Sequence, residues 1–452
     1  MNLLRMSINK WHYHIAFGIV IAALILKCCY LFPIISFHNS LHRDMAEYWY
    51  DSIQLAWGNH IYLSQWGGFA PFYKYYFLVP FFKFLNSLGY LSYSVPLIIL
   101  VNILLYSVSS YVFYLVVNRL IADKITALIA LIFYAFSYLA TYVNALILPD
   151  SLAISITVVS TGIVILTPRR IAVFIAGLFL GVAIAAKPFL FVFSPIFMWY
   201  IYSKKMNKNS VWKVVIFTVA LVVVPLMTMA ENNRVSHGKL KGLAAIGGSN
   251  FFQGWGKVRA LRSLSVEGED SRISPGTLDE PAWKSVTVKE PWYHQGYFYR
   301  LGFEAISKNP CVLFEKIFWF KKLFWGILGP KLEKFPVGYN QIMPVVQNIS
   351  YIMFLSLGIF WLFVRRFTDT KTVFFLILLL TSFFIAIYAF GLPERRYFLN
   401  IEFLVTALFF VIINRAIVLY RIYRKEIWMY AFFVFSFFFC VPMTWAHLSK
   451  LF

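Results

Sequence analysis

Asp44, in HRDMAEYWYDSIQLAWGNHIY, and Asp150, in ALILPDSLA, are carboxylates at the edges of strongly apolar runs. They lie far apart in sequence, yet both fall where a membrane-crossing helix would meet the same surface. A carboxylate held there can serve as a general base toward an incoming nucleophile. Lys187, Arg395 and Arg396 stand in short, otherwise charge-poor segments expected at that surface. Fixed cations of this kind stabilise a phosphate leaving group, and arginine can grip one through two parallel hydrogen bonds. A base together with phosphate-holding cations is what transfer of a sugar from a polyprenyl phosphate requires.

Each of these residues also has a purely structural reading. Asp150 stands where it could cap the helix that follows. Asp51 and Glu47 share a short helix with Asp44 and compete for its role. Arg395 and Arg396 could reach out to the lipid headgroups, and Lys187 precedes Pro188, where a helix must stop. The tract GGSNFFQGWGKVRALR adds glycines, aromatic rings and the amide of Asn250, a combination suited to a sugar ring but also to an ordinary loop. His42, His237 and His294 do not cluster, and Cys28, Cys29, Cys311 and Cys440 lack metal-ligand spacing. No metal motif is present, and the need for a divalent cation stays open.

These side chains must be positioned by membrane-crossing helices. The chain has 452 residues, of which 60% are hydrophobic, 20% aromatic and only 13% charged, too little polar surface for a water-soluble fold of this length. Apolar segments at about 13–35, 93–117, 124–147, 151–167, 171–186, 188–203, 212–230, 342–364, 372–391, 398–414 and 427–447 predict about eleven spans. Arg119, Lys124, Arg169, Arg170, Lys204, Lys205, Lys208, Lys213, Arg365, Arg366, Lys371 and Arg415 then fall in loops on one side. The excess of basic residues places that side, and the N-terminus, in the cytoplasm. The net charge of +22 is therefore an orientation signal and a potential attraction for anionic lipid, not a sign of nucleic-acid binding.

Two large outer loops remain, 36–92 and 231–341. The segment from Pro71 to about Leu88 carries Lys74, Pro80 and Lys83 among aromatics, and is expected to lie along the interface rather than cross. The stretch VLFEKIFWFKKLFWGIL in the second loop reads the same way. Lys27, inside the first span, is expected to reach outward to the surface. No internal repeat of the transporter type is visible.

Taken together, the order of features resembles the GT-C superfamily of membrane glycosyltransferases, which includes the protein O-mannosyltransferases (glycosyltransferase family 39) and the aminoarabinose transferase acting on lipid A. The series of an acidic residue, a Tyr, a turn Gly and a proline-led interface helix is matched here by Asp44, Tyr48, Gly58 and Pro71. Asp150 resembles the family's second acidic position. AAIGGSNFFQGW resembles an asparagine- and glycine-bearing loop, and PERRYFLNIEF a late Arg-Tyr motif at Arg396 and Tyr397. Met45 departs from the family's Asp-Glu pair. Ala70 replaces the lysine before the interface proline, and Lys74 is the residue that could stand in.

The resemblance implies an all-α, polytopic membrane domain spanning 1–452, with the GT-C fold. It implies an inverting glycosyltransferase that passes a sugar from a polyprenyl-phosphate donor to a lipid, glycan or protein of the cell envelope. In that scheme Asp44 is the general base, with Asp150 as the second carboxylate. Lys187, Arg396, Arg395 and Lys74 hold the donor phosphate, and Tyr48, Asn250 and Tyr397 touch substrate. A bacterial inner (plasma) membrane, with the active site extracytoplasmic, is the implied setting. A polytopic transporter or lipid-linked-sugar flippase is the alternative.

Overall fold

The computed structural model describes residues 2–31, 44–58, 71–121, 123–167, 169–204, 208–235, 295–308, 370–390 and 399–422, with a few isolated positions between them. Those residues are helical apart from turns and a two-residue antiparallel ladder, Ser271–Arg272 with Thr287–Val288. The helices are α1 (Asn2–Leu31), α2 (Asp44–Ala56), α3 (Val79–Ser87), α4 (Ser94–Leu120), α5 (Lys124–Ala135), α6 (Tyr138–Asn144) and α7 (Pro149–Leu166). They continue with α8 (Arg170–Ala186), α9 (Ser194–Lys204), α10 (Lys208–Val235), α11 (Gln295–Lys308), α12 (Thr370–Phe390) and α13 (Leu399–Ile422).

Among the described residues, four segments are long and apolar enough to cross a membrane: Trp11–Cys29, Leu91–Leu120, Pro149–Leu166 and Ser210–Arg234. Helices α5, α8, α12 and α13 contribute shorter apolar stretches packed into the same bundle. The expected spans at 342–364 and 427–447, and the surface helix near 312–328, lie outside the described residues. The figure of about eleven is therefore not established. The stretch from Pro71 to Ser87 is helical and packs along α2.

The segment expected as one third span is two helices. α5 stops at Ala135, and α6 runs only from Tyr138 to Asn144. No Gly or Pro marks the break. Ser137 makes it, because its Oγ accepts the N–H of Ala140 at 3.1 Å and so begins a new helix. The interruption is tolerated because its polar groups are buried among protein partners. Tyr106 donates to the Tyr134 carbonyl at 2.7 Å, and Asn102 donates to the carbonyls of Asn144 and Leu146 at 3.3 and 3.1 Å.

Small residues set the tightest helix pair. Gly177 and Gly181, one turn apart on α8, bring its backbone onto α10. A Cβ added at Gly181 would stand 2.5 Å from the Leu221 carbonyl oxygen, and one at Gly177 would stand 2.6 Å from that of Phe217. Pro225 lies inside α10. A proline has no N–H for the carbonyl four residues back, so Leu221 is the carbonyl it leaves open. The glycine faces that same oxygen, where a Cα–H contact is the available partner.

Basic side chains close one end of the bundle. Arg119 donates to the carbonyl of Leu166 at 3.3 Å, and Lys204 to those of Val164 and Ile165 at 3.1 and 2.5 Å. Lys371 donates to the carbonyl of Ser203 at 2.8 Å. Cations suit the negative ends of α7 and α9, whose last carbonyls lack helical donors. All three residues were assigned by sequence to loops on one side, and they do share one end.

Gly181→Ala should lower the thermal unfolding temperature in detergent, with overpacking costing about 1–3 kcal/mol. Gly18→Ala, where a Cβ meets nothing within 4 Å, is the control. An unfolding temperature for Gly181→Ala equal to that of the control would refute the close approach.

Candidate functional site

At the opposite end of α7, four charged side chains form two pairs. Asp150 stands in the first turn of α7 with no solvent exposure, and Lys187 meets it at 2.9 Å. Pro188 explains how Lys187 gets there. The residue before a proline is driven out of the helical region, and Lys187 is extended, at φ −140° and ψ 90°, ending α8. The turn that stops the helix thus turns its ammonium toward Asp150. This contact is ionic, without hydrogen-bond alignment: neither Asp150 oxygen accepts a hydrogen bond among the described residues.

The second pair is Asp51 on α2 and Lys74, joined at 2.7 Å. Lys74 is 1% exposed. It belongs to a widened π-helical stretch, Tyr73–Leu78, in which the Val79 N–H reaches back to the Lys74 carbonyl. Pro80 follows directly, and in a regular helix its ring would crowd the carbonyl four residues back. The wide turn relieves that crowding and directs Tyr73, Lys74 and Leu78 inward. Such turns recur at functional sites.

Tyr73 connects the two pairs. Its ring meets that of Tyr48 edge-on at 6.0 Å, and the Lys74 ammonium stands 5.4 Å above the Tyr48 ring. Its hydroxyl is buried and has no hydrogen-bond partner among the described residues. Burial, and then the charge of Asp150 nearby, push its phenol above the usual tyrosine range, so it stays a neutral donor. The Ser52 hydroxyl on α2 is likewise buried without a partner among these residues. Unsatisfied polar atoms of this kind call for a ligand or ordered water.

Aromatic rings fasten the layer over the bundle. Tyr73 stacks on Phe77 at 5.3 Å, and Phe77 on Phe81 at 6.4 Å, one helical turn apart each time. Trp49 meets Phe82 at 6.4 Å and donates to the Ser94 hydroxyl at 3.2 Å, tying α2 to the start of α4. Tyr76 donates to the carbonyl of Met227 on α10 at 3.4 Å. Asn232, near the end of α10, holds the carbonyls of Gly242 and Leu243 at 2.8 and 3.3 Å, so the second loop begins folded against the same end.

Asp150, Lys187, Tyr48 and Lys74 thus come together as sequence-derived candidates. The first two pair with each other, and Lys74 is held by Asp51. Asp44 opens α2, the helix that carries Tyr48 and Asp51, but its side chain lies outside the described residues. Asn250, Arg395, Arg396 and Tyr397 lie outside them too. Sequence reasoning missed Tyr73, and treated Asp51 only as a competitor. The Asp51 and Lys74 pairing had no signal in spacing, since the two lie 23 residues apart on different helices. Lys27 corrects an expectation: it does not reach outward but is 5% exposed, with its ammonium 4.0 Å over the Tyr106 ring.

No protein-family model matches the chain, and no curated protein matches it.

Replacing Asp150 by Ala should cost up to about 3–5 kcal/mol, because the half-buried ammonium of Lys187 loses its buried carboxylate partner. Removing Lys187 as well (Asp150→Ala with Lys187→Met) should restore much of that loss. Thermal unfolding of the two single variants and the double variant measures the coupling, and simple additivity would show that the pair does not interact.

Proposed function

We propose that the chain is a GT-C-type glycosyltransferase of a bacterial inner membrane, inverting, with its active site on the extracytoplasmic face. The carrying observation is the doubled carboxylate–lysine arrangement, Asp51 with Lys74 and Asp150 with Lys187, under one aromatic layer at one end of an apolar bundle. The Tyr73 hydroxyl, without a hydrogen-bond partner among the described residues, and the unaligned Asp150 carboxylate leave hydrogen-bonding capacity for a substrate there. The opposite end carries Arg119, Lys204 and Lys371, which suits a cytoplasmic face.

In this reading Asp44 deprotonates the acceptor hydroxyl at the head of α2. The acceptor oxygen attacks the anomeric carbon while the bond to the polyprenyl-phosphate oxygen breaks, and the departing phosphate takes the negative charge. Lys74 and Lys187 supply positive charge at that point, together with Arg395 and Arg396 from the late Arg-Tyr motif. Both lysines are held by carboxylates before substrate arrives, which is preorganisation of the kind that lowers a charged transition state. Tyr48, Asn250 and Tyr397 are the proposed sugar and acceptor contacts. The acceptor is an envelope lipid, glycan or protein.

A transporter or flippase is the second reading, and one observation favours it. Lys27 and Glu402 are ionisable, buried within the bundle, and close enough to act on one another electrostatically. Intramembrane charges of that kind line transport paths in many carriers.

Full-length protein in lipid nanodiscs, given radiolabelled polyprenyl-phosphate sugars and envelope extract, tests the choice. Wild type should transfer label, and Asp44→Asn, at equal expression, should transfer about 10²-fold less or worse. Unimpaired transfer by Asp44→Asn would remove it as the base. Movement of donor across proteoliposomes without any transfer would establish the carrier reading instead.

A further inference from the structure

Glu402 is a carboxylate in α13, 6% exposed and far in sequence from both pairs described above. It lies within PERRYFLNIEF, just beyond the Arg-Tyr motif. Burying a charge in an apolar bundle is costly, so what it contacts deserves a functional account. Its Oε1 accepts a hydrogen bond from the Ser137 hydroxyl at 2.5 Å, and its Oε2 accepts none among the described residues. Lys27 on α1 supplies the nearby positive charge.

Ser137 sits at the break in the third span. Its Oγ donates to Glu402 and at the same time accepts the Ala140 N–H, so the carboxylate fixes the orientation in which the hydroxyl caps α6. α6 has seven residues, too few to persist without anchors at its ends. Ser137 is one anchor, and Asn144 is the other. The Asn144 carbonyl accepts from Asn102, and its Oδ1 accepts from the Ser151 hydroxyl, the neighbour of Asp150. An unbroken series therefore runs from Glu402 through Ser137, the body of α6, Asn144 and Ser151 to the first turn of α7.

We infer that Glu402 is a positioning residue for Asp150, acting through Ser137 and the short helix α6. This rests on the glycosyl-transfer reading, because it assigns Glu402 a part in that reaction without contact to substrate. A simple brace between α13 and α5 would also use the Ser137 bond. It would not explain why the bonded hydroxyl is the cap of a helix whose far end holds the residue beside Asp150.

Three variants of the full chain in nanodiscs, Glu402→Ala, Ser137→Ala and Glu402→Gln, separate these roles. Glu402→Ala and Ser137→Ala should speed amide exchange across 138–151 by about five-fold, the factor that a lost helix cap carries. They should also lower kcat by about ten- to hundred-fold, with the donor KM within about two-fold, as expected for a displaced catalytic group. Glu402→Gln keeps a carbonyl that accepts from Ser137, and should keep both exchange and kcat near wild type.

Unchanged exchange at 138–151 in Glu402→Ala and Ser137→Ala overturns the inference whatever the activity. Faster exchange with an unchanged kcat makes Glu402 a brace and overturns it as well. If Glu402→Gln fails as badly as Glu402→Ala, the route through Ser137 is wrong. Should Glu402→Ala not fold, Ser137→Ala and Glu402→Gln decide by the same readouts. If wild type transfers no sugar from any donor, the glycosyl-transfer reading falls and takes this role with it. Normal transfer combined with unchanged exchange leaves that reading standing and removes only Glu402.

Discussion

Burying a carboxylate at the end of an apolar bundle is costly, and a cation brought to it offsets that cost. Lys187 does this for Asp150, and much of the surrounding architecture follows from that need. α8 must end where it does, Pro188 must turn Lys187, the residue before it, toward the first turn of α7, and the α8–α10 seam must be tight enough to fix that end in place. The second pair repeats the solution with different means. There the lysine is delivered by a π-helical turn in front of Pro80, and a helix of the first loop supplies the acid. Two prolines, each acting on the backbone just before it, thus place the two lysines.

The same logic governs the interior. Within hydrocarbon no water can take over an unmade hydrogen bond, so each irregularity must be answered by a group of the protein itself. The break at Ser137 is answered by Tyr106, Asn102 and Glu402, and the carbonyl left open by Pro225 by the closeness of Gly181. Other buried hydroxyls, those of Ser107, Ser110, Thr157 and Thr161, simply bond the carbonyl four residues back in their own helix. Lys27 and Glu402 stand apart because they bring net charge as well as hydrogen-bonding groups.

The helices and their two ends were legible in the sequence because the signals are local. Long apolar runs gave α1, α4, α7 and α10, and loop charges sorted Arg119, Lys204 and Lys371 to one end. Aromatic composition with an internal proline kept 71–88 out of the bundle's crossing helices. Asp150 and Lys187 were each visible as charges at helix ends, but that they face one another depends on how α7 and α8 pack. Less was visible where the deciding contact is long-range. Serine inside AFSYLA is unremarkable until Glu402, hundreds of residues later, is seen to bond it. Lys27 had an easy local escape toward the surface, and only the neighbouring Tyr106 ring and the carboxylate of α13 show why it stays inside.

The basic residues at the far end of the bundle have two lives. During insertion of a membrane helix, cations in short loops favour the cytoplasmic side, and in the proposed orientation Arg119, Lys204 and Lys371 would act in that way. In the folded protein the same three are fastened to the terminal carbonyls of α7 and α9. In that orientation, the group that steers a helix would also latch its end. Reversal would require dragging a cation through lipid and uncovering a helix end at the same moment, which makes the orientation, once reached, self-locking.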